Sequence, residues 1–249
     1  MIIKTKEQMK GMQEIGKIVA SVLKEMGEAL EPGMTTAQLD EIGHQALARY
    51  GAVSAPIAVY NFPGYTCISV NEEVAHGIPS GRIIQVGDMV NIDVSAHKNG
   101  FYGDTAATFL IPPVKMKTKR LIECSKSALA SAIKVVCAGN RLSEIGLVVE
   151  KEAHRNGYKT IRNLCGHGVG DTLHDEPESI YNYFEKHDKR IMLPGMVLAI
   201  EPFIAEKETY VLEEPDGWTL KTPKRTLTAQ FEHSVVVTEN EPIILTLPE

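Results

Sequence analysis

The sequence predicts an α+β fold built from two related halves. Three patterns predict it: apolar residues recurring at spacings of three and four over four segments, alternating apolar and polar residues in the segments between and after them, and a return of the same helix-then-strand order about a hundred residues further on.

The first helix follows Thr5, which can cap it. Met9, Met12, Gly16, Val19, Leu23, Met26 and Leu30 form its apolar stripe, and Pro32-Gly33 ends it. Thr35 and Gln38 have the spacing of a capping box, in which each side chain satisfies a backbone N–H near the other, and the helix they open stops at Gly51. A third helix runs through Leu121, Cys124, Ala128, Ala132 and Val135, and a fourth from about Leu142 to Arg155, before Gly157. Met89–Val94 alternates as a strand does, with Val90, Ile92 and Val94 on one face and Met89, Asn91 and Asp93 on the other. Asn99-Gly100 is a hairpin signal, because both residues tolerate the positive φ that a tight turn between twisted strands requires. Phe101–Leu110 returns as the partner strand. Later strands are expected at Met196–Ile204, Trp218–Leu220, Thr226–Thr238 and Pro242–Thr246.

Two segments make the repeat. Gly33-MTTAQLDEIGHQALARY-Gly51 and Gly139-NRLSEIGLVVEKEAHRN-Gly157 have equal length and similar apolar positions, and Gly87-DMVNI-Asp93 is echoed by Gly195-MVLAI-Glu201. The offsets are 106 and 108 residues, in the same order. We therefore expect one catalytic domain over residues 1–249, with halves of about 1–112 and 113–249, and a site between the halves that takes matching carboxylates from each.

Composition narrows the function. The chain has 249 residues, 43% hydrophobic and 23% charged, an ordinary globular profile. Its net charge of −6, from 26 basic and 32 acidic residues, argues against DNA as a partner, which needs a basic face. The longest apolar run, Met196 to Ile200, is far below the about 18 residues of a membrane span, and MIIKTKEQMKGMQEIG has no apolar signal core. Cys67, Cys124, Cys137 and Cys165 form no C-x-x-C pair, and unpaired thiols suit a reducing compartment. The expectation is a cytoplasmic protein without a membrane or nucleic-acid partner.

Five residues stand where packing would prefer something else. Asp93 closes an apolar strand, and Asp104 lies eleven residues on, so that the turn at Asn99-Gly100 can bring the two carboxylates side by side. Two carboxylates that close repel unless a cation lies between them. His167 sits in Gly166-His167-Gly168, where the glycines let the backbone approach a ligand. Glu201 ends MVLAIE before Pro202, and Glu232 interrupts the apolar AQFEHSVVV. A lone aspartate at a strand end is more often a turn residue, and a lone histidine more often a surface or satisfied core residue. His44, His97, His154 and His187 fit that plain case, and His233 should point to the opposite face of the strand from Glu232. The set carries the argument: four carboxylates and one imidazole balance two divalent ions, and oxygen-rich donors with one histidine suit manganese, iron, cobalt or zinc. Such a pair, roughly 3.5–4 Å apart, can activate one water and polarise one carbonyl.

NFPGYTCISVNEEVAHGIPS, NIDVSAHKNGFYGDTAATF, GHGVGDTLHDEP, GMVLAIEPF and AQFEHSVVVT together resemble the type I methionine aminopeptidases, in their minimal bacterial form without an N-terminal extension. The resemblance runs from the first helix to Thr238. It implies the pseudo-two-fold pita-bread fold, with a central antiparallel sheet and helices outside. It also implies a metallo-exopeptidase that removes the N-terminal methionine of peptides and nascent chains when the second residue is small. Carried over by motif, Asp93 chelates one metal, Asp104 and Glu232 bridge both, and His167 and Glu201 hold the other. His76 and His174 are implied to contact the scissile amide and steady the oxyanion, and Glu201 to shuttle the proton. Phe62, Cys67 and Trp218 match the methionine slot, whose sulfur and aromatic groups suit a thioether, with Tyr60 and Tyr65 at its rim. Leu173 stands where some relatives carry an aromatic residue, Asp171 departs from the small or basic residues expected there, and Ala205–Arg225 is polar and irregular. A monomer is expected, with a ribosome contact left open.

Two rivals share the scaffold. Xaa-Pro-type peptidases carry a large additional N-terminal domain, whereas the first helix here is expected to begin near residue 5. Non-catalytic pita-bread binding proteins have lost metal ligands, and all five are present here.

Overall fold

The chain turns back on itself at Asn99-Gly100, where φ values of +54° and +83° place both residues in the left-handed region. Around that turn the computed structural model, which describes residues 1–248, builds its longest ladder. The first half of the chain gives α1 (Lys6–Ala29), α2 (Thr36–Arg49), β1 (Val53–Ser54), α3 (Ala55–Tyr60), β2 (Cys67–Val70), β3 (Glu73–Ala75), β4 (Met89–Lys98) and β5 (Phe101–Leu110). The second gives α4 (Met116–Lys134), α5 (Leu142–Arg155), β6 (Lys159–Thr160), β7 (Cys165–Gly168), β8 (Asp175–Tyr181), β9 (Val197–Ile200), β10 (Phe203–Ala205), β11 (Leu212–Glu213), β12 (Leu220–Lys221), β13 (Thr228–Gln230), β14 (His233–Val236) and β15 (Ile243–Ile244).

The helices form for the reasons the sequence gives. Thr5 and Gln8 make reciprocal bonds at 3.2 Å, and Thr35 and Gln38 do so at 3.1 and 2.8 Å. Each such cap stabilises its helix by about 1 kcal/mol. The buried face of α1 (Met12, Ile15, Val19, Val22, Met26) joins Ile92 and Val94 of β4 and Leu39 of α2 in one core. Gly11 and Gly27 let Phe101 and Phe109 of β5 lie directly against α1. A second core gathers Leu121, Ala128 and Ala132 of α4, Leu142, Ile145 and Val149 of α5, and Leu198 and Ile200 of β9. Helices thus cover antiparallel strands, β1-β4-β2 with β5 in one sheet and β15-β14-β9-β7-β8 in another.

Several strands differ from expectation. Met196–Ile204 is not one strand: β9 pairs with β14 and β7, whereas β10 pairs with β13 and β6. The break falls at Pro202, which has no N–H for a ladder. Thr226–Thr238 breaks likewise at Phe231-Glu232, between β13 and β14. Residues 218–220 contribute β12 at Leu220–Lys221 only, and Pro242–Thr246 contributes Ile243–Ile244. α3 is a helix the sequence pattern does not announce: Ser54 accepts from Ile57 N–H at its start, and Asn61, at φ +57°, ends it.

Candidate metal centre and substrate cleft

The β4–β5 ladder pairs Asp93 with Ala106 and Ser95 with Asp104. The two aspartates therefore share a face but stand diagonally, one step of the pleat apart, and not directly opposite as expected. Asp93 also lies inside β4 and not at its end. Ser95 fills the corner: its hydroxyl lies 2.8 Å from Asp104 Oδ1 and 3.4 Å from Asp93 Oδ1.

The second pair of carboxylates comes from the two strand breaks. The β9–β14 ladder ends at Ile200 opposite His233, and the β10–β13 ladder begins at Phe203 opposite Gln230. The register continues across the gap, so Glu201 faces Glu232 where the ribbon bends from one sheet to the other. The bend frees the backbone of Glu232 to bond elsewhere. Its N–H donates to Ala106 C=O at 2.9 Å, and its C=O accepts from Thr105 at 2.9 Å. Ser234 bonds both backbone groups of Asp104. These contacts bring Glu232 beside Asp104. Gln230 steadies the pair, its Nε2 at 3.2 Å from Glu201 Oε2 and 3.5 Å from Glu232 Oε2, while its Oε1 accepts from Asn91 at 2.8 Å.

His167 reaches the same spot from β7, opposite Ala199 of β9. Its flanking glycines serve strand packing: a Cβ on Gly166 would meet Ala199 O at 2.3 Å, and one on Gly168 would meet Glu176 O at 2.1 Å. His167 Nδ1 is 2.8 Å from Gly168 C=O, which can only accept, so Nδ1 carries the proton and Nε2 presents a lone pair. That lone pair faces Glu201 Oε1 at 3.5 Å and Asp104 Oδ2 at 3.7 Å.

Such a cluster is unfavourable without a cation. One ligand atom each from Asp104, His167 and Glu232 lies within 4.8 Å of the others, and all three residues are buried. Glu232 Oε1 is buried without a hydrogen-bond partner. Burial pushes the Asp93 carboxyl up to about 6, against lowering bonds from Asp104 and Ser95. Burial first, and then the neighbouring carboxylates, raise Asp104, Glu201 and Glu232 well above the usual carboxylate range. Burial also lowers His167 to about 3, so its imidazole stays a neutral donor. Converging acceptors, an orphaned oxygen and a neutral imidazole fit divalent ions held by oxygen and nitrogen.

Nine of the ten residues singled out from the sequence line one cleft of about 230 Å³: Phe62, Cys67, His76, Asp93, Asp104, His167, His174, Glu201 and Trp218. Glu232 lies behind this surface, in the carboxylate cluster. Phe62 and Trp218 meet edge to face at 5.1 Å beside the buried Cys67. The turn carrying Trp218 is fixed by Asp216, which accepts from the N–H groups of Trp218 and Thr219 at 2.8 Å each. His76 follows β3 at φ +54°, a strained position for a non-glycine residue of the kind that clusters at functional sites. Desolvation lowers the pKa of both His76 and His174, so both are neutral donors at neutral pH. Leu173 and Tyr60 also line the cleft, whereas Tyr65 stacks on His44 at 3.7 Å and is not among the lining residues. His233 bonds Thr246 at 2.8 Å, outside the cluster.

Ser95 and Gln230 are the functional neighbours that the sequence reading passed over. Each stands two residues from a ligand candidate in a strand segment, which was the available signal. All four cysteines are free, and among the described residues no helix is long and apolar enough to cross a membrane.

The family model for metallopeptidase family M24 matches residues 10–239. Methionine aminopeptidase 2 of Bacillus subtilis (strain 168) is 45% identical over 247 residues, covering 99% of this chain and 99% of its own. The crystal structure of methionine aminopeptidase from Thermotoga maritima superposes with a TM-score of 0.95 at 35% identity, over the full length of both chains. A prolidase from Pyrococcus furiosus has the same fold, with a TM-score of 0.80 at 23% identity, and this chain covers 66% of its length.

Proposed function

The chain belongs to metallopeptidase family M24, among its type I methionine aminopeptidases, and on that premise we propose how its residues divide the work. The reaction is removal of an N-terminal methionine by hydrolysis of the first peptide bond. The observation that carries the assignment of roles is the meeting of four carboxylates and one neutral imidazole at the end of an apolar slot.

Asp93, Asp104, His167, Glu201 and Glu232 would hold the divalent ions, with Asp104 and Glu232 central, since they lie on neighbouring elements joined by Ala106 and Ser234. When bound, a pair of such ions supplies Lewis acidity, which acidifies water and polarises a carbonyl. Phe62, Cys67 and Trp218 receive the methionine side chain. Their contact is apolar and polarizable, as a thioether requires. His76 and His174 donate toward the scissile amide and stabilise the oxygen on which negative charge develops. Glu201 takes the proton of the attacking water and returns it to the leaving amine.

The two halves, about 1–112 and 113–249, make one catalytic domain in this reading. The separate helix-covered cores under α1–α2 and α4–α5 support it. The free thiols support a cytoplasmic location, and in this reading the protein acts as a monomer on nascent chains, with a ribosome contact left open. Only small second residues are accepted in this reading, as the likeness to the type I methionine aminopeptidases implies.

Methionine release from Met-Ala-Ser tests the reading, with chelated protein and then with manganese, cobalt, iron or zinc restored, and with Met-Lys-Ser and Ala-Pro-Ala as controls. Metal-dependent release from Met-Ala-Ser alone is the expected result. Release from Ala-Pro-Ala, or none from Met-Ala-Ser with any metal, would overturn it.

A further inference from the structure

α3 ends on Tyr60, and the left-handed Asn61 turns the chain so that Phe62 enters the slot. Tyr60 is left at the lip of the cleft, half in solvent, with its hydroxyl 2.5 Å from His174 Nδ1. The two rings tilt by 55° at 5.4 Å, and the His174 ring also lies against His167 at 4.2 Å between centroids. With Nδ1 engaged by Tyr60, the one remaining nitrogen of the imidazole is Nε2.

We propose that Tyr60 is a positioning residue for His174: its hydroxyl donates to Nδ1 and so fixes the imidazole with its proton on Nε2, the nitrogen left for the substrate. The direction of the bond follows from acidity. A phenol is the stronger donor and a neutral imidazole the stronger acceptor. Burial holds the Tyr60 phenol in its protonated, donating form. Fixing the tautomer matters because a donor aimed at developing charge helps only if its hydrogen is there beforehand. In the other tautomer a lone pair would meet the oxyanion.

The inference rests on the role given to His174 above. Its test is Tyr60→Phe, a change at an exposed lip that removes only the hydroxyl. In zinc-loaded protein labelled with 15N-histidine, the wild-type His174 signals should show an acceptor Nδ1 and a protonated Nε2, and the variant should mix the tautomers. Turnover of Met-Ala-Ser should fall about tenfold, the loss of one hydrogen bond, with KM and bound metal unchanged. In a His174→Ala background the same substitution should cost nothing further. A wild-type Nδ1–H signal, a turnover change under twofold, or an equal loss in the His174→Ala background would overturn the inference. Methionine release by the wild type in the same assay keeps such a failure distinct from failure of the proposed function.

Discussion

Glu201 is asked to do two things at once. It faces His167 Nε2 across 3.5 Å through Oε1 and accepts from Gln230 through Oε2, so Oε1 is the oxygen left for an ion or a proton. Glu201→Gln removes the charge that helps hold the ions and the group that carries the proton. Weaker metal binding by calorimetry is expected, together with a fall in turnover of about 10²–10⁴-fold, the range of a lost acid–base catalyst. Near-normal turnover would remove Glu201 from both roles. His174 is proposed as a donor to the substrate and is not one of the five proposed ligands. His174→Ala should therefore keep its metal content by elemental analysis and lose about 10²-fold in rate, as for a missing oxyanion donor. Loss of metal in that variant would make His174 a ligand.

Elements explain what the side-chain list does not. His167 is placed by the close contact of β7 with β9, and Gly166 is the residue that permits it, since a Cβ there would press on a backbone oxygen, which has no rotamer to yield. Gly166→Ala should destabilise the protein by about 1–3 kcal/mol, the usual cost of overpacking, and weaken metal binding although no ligand changes. Unfolding and metal titration of the same variant check both, and unchanged metal affinity would show that β7 yields without moving His167. Such placement explains how much was legible. The helices and the β4–β5 hairpin were readable because caps, stripes and Asn99-Gly100 are local signals. The kinked ribbon was not. Its two breaks coincide only because β9 pairs with β14 and β10 with β13, a long-range register that alternation cannot reveal, although Pro202 marked one of them. The diagonal offset of Asp93 and Asp104 was missed for a smaller reason. A two-residue turn at Asn99-Gly100 pairs Lys98 with Phe101 and hence Asp93 with Ala106, a register that the expectation of side-by-side carboxylates did not count out. α3 went unread because six residues show no period.

At the scale of the whole molecule the carboxylate cluster sets how stability responds to pH. Unfolded carboxyls titrate near 4 and imidazoles near 6.5. In the folded, chelated protein Asp93 is raised to about 6, and burial and mutual repulsion raise Asp104, Glu201 and Glu232 well above the usual carboxylate range, so above pH 4 the folded state holds protons that the unfolded state has lost. Stability from these groups falls as pH rises toward their folded values. The histidines act in the other direction: His76, His167, His174 and His233 are lowered, so below pH 6.5 the unfolded state binds more protons and stability rises with pH. Between pH 4 and 6.5 the two sets oppose each other, and above 6.5 the histidines drop out while the raised carboxyls still act. As pH rises above 6.5 the melting temperature of chelated protein should therefore fall until the raised carboxyls have ionised, by roughly 2–4 °C for each kcal/mol lost. Divalent ions displace those protons as they bind, so metal-saturated protein should lack this decline, and the rise in melting temperature on adding metal should grow with pH. Calorimetry in buffers of different ionisation enthalpy should show protons released on metal binding at pH 7. A chelated protein whose stability climbs through that range, or binding without proton release, would mean that the cluster is ionised before the ions arrive, with its charge balanced by some other group.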